Sequence, residues 1–245
     1  MISVIYNNKS MKKLVIVFLF ISQLSFSQSV NRQYVGLSIG ASLPMSDFKK
    51  AVLSDSTSGF AKTGIALSFD YAYRFTHNFG MQLIINYSGN SLNDGSYKDQ
   101  LEAVNPDYGI SVESTDNWTS GGLFLGPYLT FPLTSKLSLD VRALAGYFGS
   151  YSPRVLIRTT KIEEPSVKGE SYIERARANG FGYLLGTGFK YRVKSYYVLL
   201  FGDYVSSNLE FKDAVGWDLD HKPYSTSFSQ KISYMSITIG VGYIL

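Results

Sequence analysis

Hydrophobic and polar residues alternate along most of this chain. The pattern is clearest at the C-terminal end, where every odd position from Met235 to Leu245 is apolar or aromatic and the even positions are small or polar, except Ile244. Because successive side chains of a β-strand point to opposite faces, this pattern predicts a strand with one apolar face. The same alternation occurs in seven earlier segments, at about 34–41, 63–75, 79–88, 122–131, 137–147, 181–193 and 196–204.

The connections between these eight segments are long and short in turn. Short turns are predicted at 76–78, 132–136 and 194–195, and long polar connections at 43–60, 89–117, 149–178 and 206–231. An even number of strands, joined by short turns on one side and long loops on the other, is typical of barrels that cross an outer membrane. Lipid requires such a sheet to close, since an open edge would leave backbone groups unpaired. The pattern therefore predicts an all-β fold, an eight-stranded antiparallel up-and-down transmembrane β-barrel with both termini on the short-turn side.

A secreted β-sandwich rich in tyrosine is the alternative that this alternation leaves open. The chain contains 19 Tyr and 16 Phe. Tyrosine rings favour the boundary between water and hydrocarbon, so they fit the aromatic girdles of a membrane barrel. Four aromatic rings follow one another on a single face of the second segment, at Phe69, Tyr71, Tyr73 and Phe75. Such a row is rare on the buried face of a soluble sheet, and it favours the barrel.

The N-terminal segment has the layout of a secretory signal peptide. Two lysines precede a continuous apolar run, and small residues before Gln28 offer a cleavage site. We therefore predict a signal peptide at 1–27, with Met11 as the natural start, and an outer-membrane barrel domain at 28–245.

Charge and cysteine content exclude several classes of function. The formal net charge of +4 includes three lysines before Gln28 and no acidic residue there, so the mature chain carries only +1. This balance gives no support to a nucleic-acid partner. The chain has no cysteine, which excludes disulfides, thiolate metal sites and attachment of a lipid to a cysteine.

Charged residues on the polar faces of the strands are the most informative candidates. On the inward side we expect a lumen charge network made of Asp70, Arg74, Asp140, Arg142, Lys190, Arg192 and Asp203. The interior of a small barrel is filled by side chains, and charges there must be paired. A salt-bridged plug is the first interpretation, and a narrow ion path is the second. Gly186 and Gly188 are expected to leave room for inward side chains of neighbouring strands.

Catalytic and metal-binding patterns are weak. The chain has only two histidines, His77 in a predicted turn and His221 in the last long connection. Asp218 and Ser225 near His221 allow a Ser–His–Asp arrangement, although polar loops contain such residues by chance. The acidic connection at 89–117 lacks the spacing of a calcium-binding EF-hand loop. We therefore predict no catalytic residues, no cofactor and no metal site.

The last residues resemble a known targeting signal. Thr238-x-Gly240-x-x-Tyr243-x-Leu245 is similar to the C-terminal signal by which outer-membrane proteins are recognised by the barrel-assembly machinery. The match departs in ending on Leu245, where Phe is more usual.

Further residues resemble one family. The leader ending Ser-Phe-Ser-Gln, the stretch Gly40-x-x-x-Pro44-x-x-Asp47-Phe48 and the tyrosine-rich strands are similar to the small PorT-like outer-membrane β-barrel proteins of Bacteroidetes. This resemblance covers nearly the whole mature chain and implies a barrel in the outer membrane of a Gram-negative cell.

The predicted function is therefore non-catalytic. We expect the barrel to anchor extracellular loops that contact a protein partner or the cell surface. Expected partners are outer-membrane lipid, lipopolysaccharide and, during biogenesis, the barrel-assembly machinery. A component of a secretion or transport assembly, as the PorT-like resemblance implies, is the first alternative. A narrow pore and a lipid-modifying enzyme follow it.

Overall fold

The computed structural model describes residues 32–245, so the predicted signal peptide at 1–27 lies outside the described residues. Within that range the chain forms eleven strands and two helices. The strands are β1 (Gln33–Pro44), β2 (Gly64–Arg74), β3 (Phe79–Asn90), β4 (Tyr108–Ser114), β5 (Trp118–Pro132), β6 (Leu137–Tyr151), β7 (Val155–Lys161), β8 (Lys168–Ile173), β9 (Arg177–Val193), β10 (Tyr196–Trp217) and β11 (Pro223–Ile244). The helices are α1 (Ser46–Lys49) and α2 (Asp94–Val104).

Eight of these strands pair edge to edge into a closed antiparallel ring. Its order is β1, β2, β3, β5, β6, β9, β10 and β11, and β11 pairs with both β10 and β1. The closing pair is in register from Tyr34 opposite Ile244 to Pro44 opposite Tyr234. Each ring strand lies beside the ring strands that precede and follow it in sequence. The prediction of an eight-stranded up-and-down antiparallel barrel is confirmed.

The two faces of the ring strands have opposite character. On β1, Leu37 and Ile39 are exposed on the outer face, whereas Ser38 between them is buried in the lumen. The other ring strands repeat this arrangement, with exposed Leu, Ile, Val, Phe and Tyr outside. A continuous apolar surface of this kind is unfavourable in water and favourable against acyl chains. The barrel is therefore transmembrane, and the predicted alternative of a soluble sandwich does not fit.

The outward row of β9 shows the height of the apolar belt. It runs from Phe181 to Val193 and contains one polar residue, Thr187. At about 3.3 Å per residue and a strand tilt of roughly 40°, this row spans roughly 30 Å. The hydroxyl of Thr187 donates a 3.0 Å hydrogen bond to the carbonyl oxygen of Asp140, so it is paired within the lipid-facing surface.

The hairpin of β10 and β11 extends far beyond the apolar belt, so the prediction of a loop across 206–231 is wrong. The alternation continues there, but the outward residues are polar and the inward residues are apolar. Leu209 and Phe211 face inward and are buried, whereas Asn208 and Glu210 face outward and are exposed. Above the membrane the outer face meets water, and a strand there shows polar residues outside and apolar residues inside.

Three further strands form a sheet outside the ring. β8 pairs with the end of β10, β7 pairs with β8, and β4 pairs with β7. We call β4, β7, β8 and the adjoining end of β10 the outer sheet. The predicted loops at 89–117 and 149–178 therefore contain regular structure. The apolar run at 155–157 lies in β7, between β4 and β8.

The helix α2 covers the edge of this outer sheet. Asn93 caps its N-terminus, accepting a 3.3 Å hydrogen bond from the backbone N–H of Ser96. Glu102 accepts a 3.1 Å hydrogen bond from the backbone N–H of Ile110 in β4. This bond pairs a backbone N–H that would otherwise be free at the edge of the sheet. Neither helix in residues 32–245 has the length and apolar character needed to cross a membrane.

Replacing Ile239 by lysine should lower the free energy of unfolding by about 2–4 kcal/mol. Ile239 is 59% exposed in the middle of the outward row of β11, so the introduced charge would lie in hydrocarbon. A urea titration of the protein in lipid bilayers measures the change. Val215→Lys is the control, since Val215 is 51% exposed but lies in the outer sheet, and it should cost less than about 1 kcal/mol. Equal losses in the two variants would contradict the position of the belt.

Candidate functional site: a filled lumen below an outer sheet

A buried arginine connects three strands across the lumen. Arg142 on β6 donates from Nε and Nη2 to the two carboxylate oxygens of Asp203 on β10, at 2.8 and 2.6 Å. Its Nη1 donates to Asp70 on β2 at 2.9 Å. The guanidinium also lies 3.9 Å from the ring centroid of Phe201. A planar guanidinium suits this two-pronged contact, which a lysine would not reproduce.

Polar side chains complete the hydrogen bonding of Asp70. Gln82 on β3 donates to Asp70 at 3.0 Å, and the hydroxyl of Ser68 donates to it at 3.1 Å. The amide of Gln82 also donates to the hydroxyl of Tyr34 at 3.2 Å. Buried charges are tolerated when they are paired and hydrogen-bonded in this way. The cluster therefore joins β1, β2, β3, β6 and β10 from the inside.

A second buried ion pair lies nearer the short turns. The Nζ of Lys190 on β9 is 2.6 Å from Asp140 on β6, in an ion pair rather than a well-aligned hydrogen bond. Thr130 donates to the other oxygen of Asp140 at 2.8 Å. The same ammonium lies 4.8 Å from the ring of Tyr34 and 5.4 Å from that of Tyr128, distances typical of cation–π contacts. The tyrosines were missed as site residues because their rings fall on the face expected to be polar.

The two remaining candidates of the lumen network lie at the end of the barrel with the short turns. Arg74 is half-buried and interacts electrostatically with Lys190 and Tyr128. Arg192 is exposed, and its Nε donates to the carbonyl oxygen of Lys194 at 3.2 Å. The structure thus brings five of the seven predicted residues into two buried clusters and places Arg192 outside them.

Glycines make room for the first cluster, as expected from their position. A Cβ atom on Gly186 would lie 1.9 Å from a carboxylate oxygen of Asp203 and 3.0 Å from the Nε of Arg142. A Cβ atom on Gly188 would lie 2.1 Å from the ring of Phe201. A larger residue at either position would displace the side chains that fill the lumen.

The loop between β1 and β2 closes the lumen at its outer end. Phe48 of α1 is fully buried and packs edge-on against Trp118, with ring centroids 5.6 Å apart. Trp118 packs in turn against Phe211, at 5.8 Å, and Phe211 stacks on Phe228 at 4.8 Å. The indole N–H of Trp118 donates to the carbonyl oxygen of Gly59 at 2.9 Å, so its polar atom is satisfied. We call this loop, residues 45–63, the plug.

Hydrogen bonds to β11 hold the plug in place. The backbone N–H of Met45 donates to the carbonyl oxygen of Ser233, and the hydroxyl of Ser233 donates back to the carbonyl oxygen of Met45, both at 2.9 Å. Gln230 donates to the carbonyl oxygen of Thr57 at 2.9 Å. Ser46 and Phe60, near the two ends of the plug, have positive φ angles of 51° and 50°. The chain therefore turns sharply into the lumen and sharply out again.

The family-like stretch after β1 has a structural explanation. A Cβ atom on Gly40 would lie 1.9 Å from the carbonyl oxygen of Ile237, so only glycine fits where β1 meets β11. Pro44 ends β1, and Phe48 fills the outer end of the lumen.

The predicted assembly signal lies on the strand that closes the ring. Thr238 is buried in the lumen, and a Cβ atom on Gly240 would lie 2.2 Å from a carbonyl oxygen of β1. Tyr243 and Leu245 are exposed on the outer face, where Tyr243 packs against Tyr196 of β10 with ring centroids 5.3 Å apart. The two polar or small positions and the two apolar positions thus face opposite sides.

Ion pairs hold the strands of the outer sheet together. Arg158 on β7 contacts Glu113 on β4 at 3.0 Å and Glu170 on β8 at 3.2 Å. Arg154 contacts Glu174 at 2.8 Å. The hydrogen bond from Tyr172 and the contact with Arg154 lower the pKa of Glu174. Partial burial and the hydrogen bond to Glu174 raise the pKa of Tyr172 to about 12.

The surroundings of His221 are those of a turn. Its backbone N–H donates to the carbonyl oxygen of Asp218 at 3.0 Å. The Asp218 carboxylate accepts from the backbone N–H groups of Asp220 and Lys222 at 3.0 and 2.9 Å, so it caps the β10–β11 turn. Among residues 32–245, no group of three His, Asp or Glu side chains is arranged to hold a metal ion.

Comparisons with known proteins find similarity in structure. No protein-family model and no curated protein sequence matches this chain. Ail, the attachment invasion locus protein of Yersinia pestis, is 12% identical and aligns over 86% of this chain and 98% of its own, with a TM-score of 0.41. A major outer membrane protein from Thermus thermophilus is 13% identical over the same shares, with a TM-score of 0.45. Neisserial surface protein A is 10% identical over 89% of this chain and all of its own, with a TM-score of 0.37.

Replacing Gly186 by alanine should destabilise the barrel by about 1–3 kcal/mol, because the added methyl group would overlap Asp203 and disturb its pairing with Arg142. Gly202→Ala on the neighbouring strand is the matched control. A Cβ atom on Gly202 would meet no atom closer than 3.7 Å, so this variant should retain its free energy of unfolding within about 0.5 kcal/mol. Both values come from urea titrations in lipid. A Gly186→Ala variant as stable as the control would show that the cluster does not need this space.

Proposed function

We propose that this protein is a closed, non-catalytic barrel of the outer membrane of a Gram-negative cell that presents the outer sheet to a partner or to the cell surface. The observation that carries the proposal is the contrast between the two ends of the molecule. The lumen is filled by the two ion-pair clusters and the aromatic plug. At the outer end, paired strands continue well beyond the length needed to cross a membrane.

The orientation follows the general rule for such barrels. Both ends of the described chain and the three short turns lie at one end of the ring, and the plug, α2 and the outer sheet lie at the other. In outer-membrane barrels the short turns face the periplasm and the long connections face outward. On this basis the outer sheet is extracellular, and the segment at 1–27 is a signal peptide that directs export.

The filled lumen argues against the alternative of a narrow pore. Arg142 is buried and donates to both Asp70 and Asp203, so moving an ion past them would require breaking charge-assisted hydrogen bonds. The arrangement around His221 likewise offers no support for a lipid-modifying enzyme, because Asp218 is engaged with the backbone of its own turn.

The PorT-like resemblance supports the second candidate, a component of a secretion or transport assembly in Bacteroidetes. Gly40 and Phe48 of that resemblance serve the closure of the ring and the filling of the lumen. They therefore support a shared way of building the barrel rather than a shared task. The C-terminal residues Thr238, Gly240, Tyr243 and Leu245 would be read by the barrel-assembly machinery before β11 closes on β1.

Single-cysteine variants test the location and orientation, since the chain has no cysteine of its own. Ile162→Cys, in the exposed turn between β7 and β8, should react with a membrane-impermeant maleimide on intact cells. Ser195→Cys, in the exposed turn between β9 and β10, should react only after the outer membrane is permeabilised. Labelling of both positions on intact cells, or of neither, would refute the proposed topology.

Planar-bilayer recordings test whether the lumen is closed. Purified protein should produce no discrete conductance steps, while a porin in the same bilayers gives them. A variant in which residues 46–60 are replaced by a short Gly-Ser linker should remain silent as well, because the ion-pair clusters lie below the plug. Stepwise currents from the unmodified protein would favour the pore instead.

A further inference from the structure

Two arginines on the outer face stack on one tyrosine just above the apolar belt. Arg175 lies two residues before Arg177, the first residue of β9. Their guanidinium carbons lie 4.6 and 5.6 Å from the ring centroid of Tyr151 on β6. Such contacts fix the position of a guanidinium while leaving its N–H groups available.

These arginines differ from the others on this side of the molecule in lacking acidic partners. Arg154 and Arg158 in the outer sheet each contact two carboxylates. Within residues 32–245, no carboxylate lies at ion-pair distance from Arg175 or Arg177. The Nε of Arg175 is buried without a hydrogen-bond partner in that range, and the Nε of Arg177 makes one long contact of 3.4 Å to Asn179. Two positive charges are therefore left uncompensated side by side.

The strand register places these charges beside the layer of lipid headgroups. Tyr147 opposite Phe181 is the last aromatic pair of the belt, and the two rings are 61% and 77% exposed. Arg177, opposite Tyr151, lies four residues before Phe181 on β9, on the side away from the belt. Four residues correspond to about 13 Å along the strand and roughly 10 Å of height at the usual tilt. The headgroup region of a typical bilayer adds roughly 5–7 Å on each side of the hydrocarbon core. The backbone of Arg177 therefore lies just beyond that layer, and a long arginine side chain can reach back to the phosphate groups.

A polar side chain lies between the arginines and the belt. Gly149 lies opposite Asn179 on the outer face. A Cβ atom on Gly149 would be 2.7 Å from the amide oxygen of Asn179, so this side chain leans across the space that glycine leaves free. A polar amide thus stands between the aromatic pair below and the arginines above. Along one line, the aromatic pair can contact acyl chains, the amide a polar headgroup and the arginines a phosphate.

We propose that Arg175 and Arg177 bind a phosphate of lipopolysaccharide in the outer leaflet, with Phe181 and Tyr147 against its acyl chains. The proposal rests on the outward orientation of the outer sheet given above. The guanidinium groups would donate paired hydrogen bonds to the phosphate oxygens, the geometry for which arginine is suited. Tyr151 would hold both groups in place before the lipid arrives.

Native mass spectrometry of the folded protein in a neutral detergent, with lipid A carrying two phosphates, tests this site. R175Q/R177Q should bind lipid A on the order of tenfold more weakly than the unmodified protein. R158Q/K222Q is the matched control, because it removes the same charge from residues that already have carboxylate partners, and it should bind as the unmodified protein does. R175K/R177K should retain part of the affinity, since the charge remains and the paired geometry is lost.

Several results would overturn the assignment. Equal weakening in R158Q/K222Q would indicate an effect of net charge rather than a site. If lipid A that lacks phosphates bound equally well, the phosphate would not be the group that is recognised. If an equal concentration of inorganic phosphate displaced lipid A, the site would be one for the free anion. Heat-modifiable migration on a gel shows in each sample that the barrel is folded. Maleimide labelling of Ile162→Cys tests the orientation separately, so failure of the lipid site leaves the proposed function standing.

Discussion

The need to pair every backbone N–H and C=O group within hydrocarbon governs this structure. No open sheet edge can be exposed to lipid, so β1 and β11, at opposite ends of the described chain, must meet. Their meeting leaves little space between the strands. Gly40 and Gly240 lie where any side chain would collide with the partner backbone, at 1.9 and 2.2 Å. Closure of the ring thus explains the small residues in the first and last strands, including those that resemble a family motif and a targeting signal.

Closing a ring of eight strands encloses a narrow interior, and its contents follow from that size. The inward faces carry polar residues because the outward faces carry the apolar ones, yet the interior has little room for water to solvate charges. Arg142 neutralises two carboxylates at once. Because Gly186 has no side chain, the space that these contacts need is free. At the outer end, where the outward face meets water, the apolar residues of the strands lie inside, and Trp118 and Phe211 pack with Phe48 of the plug.

The same change of surroundings explains which parts of the fold could be predicted from the sequence. Within the membrane, an apolar outer face repeats with period two, and this pattern predicts all eight ring strands. Beyond the belt the apolar residues lie inside and the polar residues outside, as at Leu209 and Phe211. A strand there has no apolar outer face, so its sequence looks like that of a polar loop. Parity also indicates that Asp70 and Arg142 face inward, but their contact across 72 positions depends on strand register and barrel stagger. The alternation of faces also does not show how far along the barrel axis a residue lies. Arg192 is therefore predicted in the lumen network, although it lies below that network.

Depth is also the property that distinguishes arginines of similar appearance in the sequence. Arg154, Arg158, Arg175 and Arg177 fall in one connection of mixed charge, and nothing in their order separates them. The fold places Arg158 in the outer sheet and Arg154 beside it, where neighbouring residues supply carboxylates. It places Arg175 and Arg177 on the outer face beside Tyr151, where no carboxylate of the described residues lies at ion-pair distance. Because the lumen is filled, the contacts proposed for this barrel fall on its outer rim and its outer sheet.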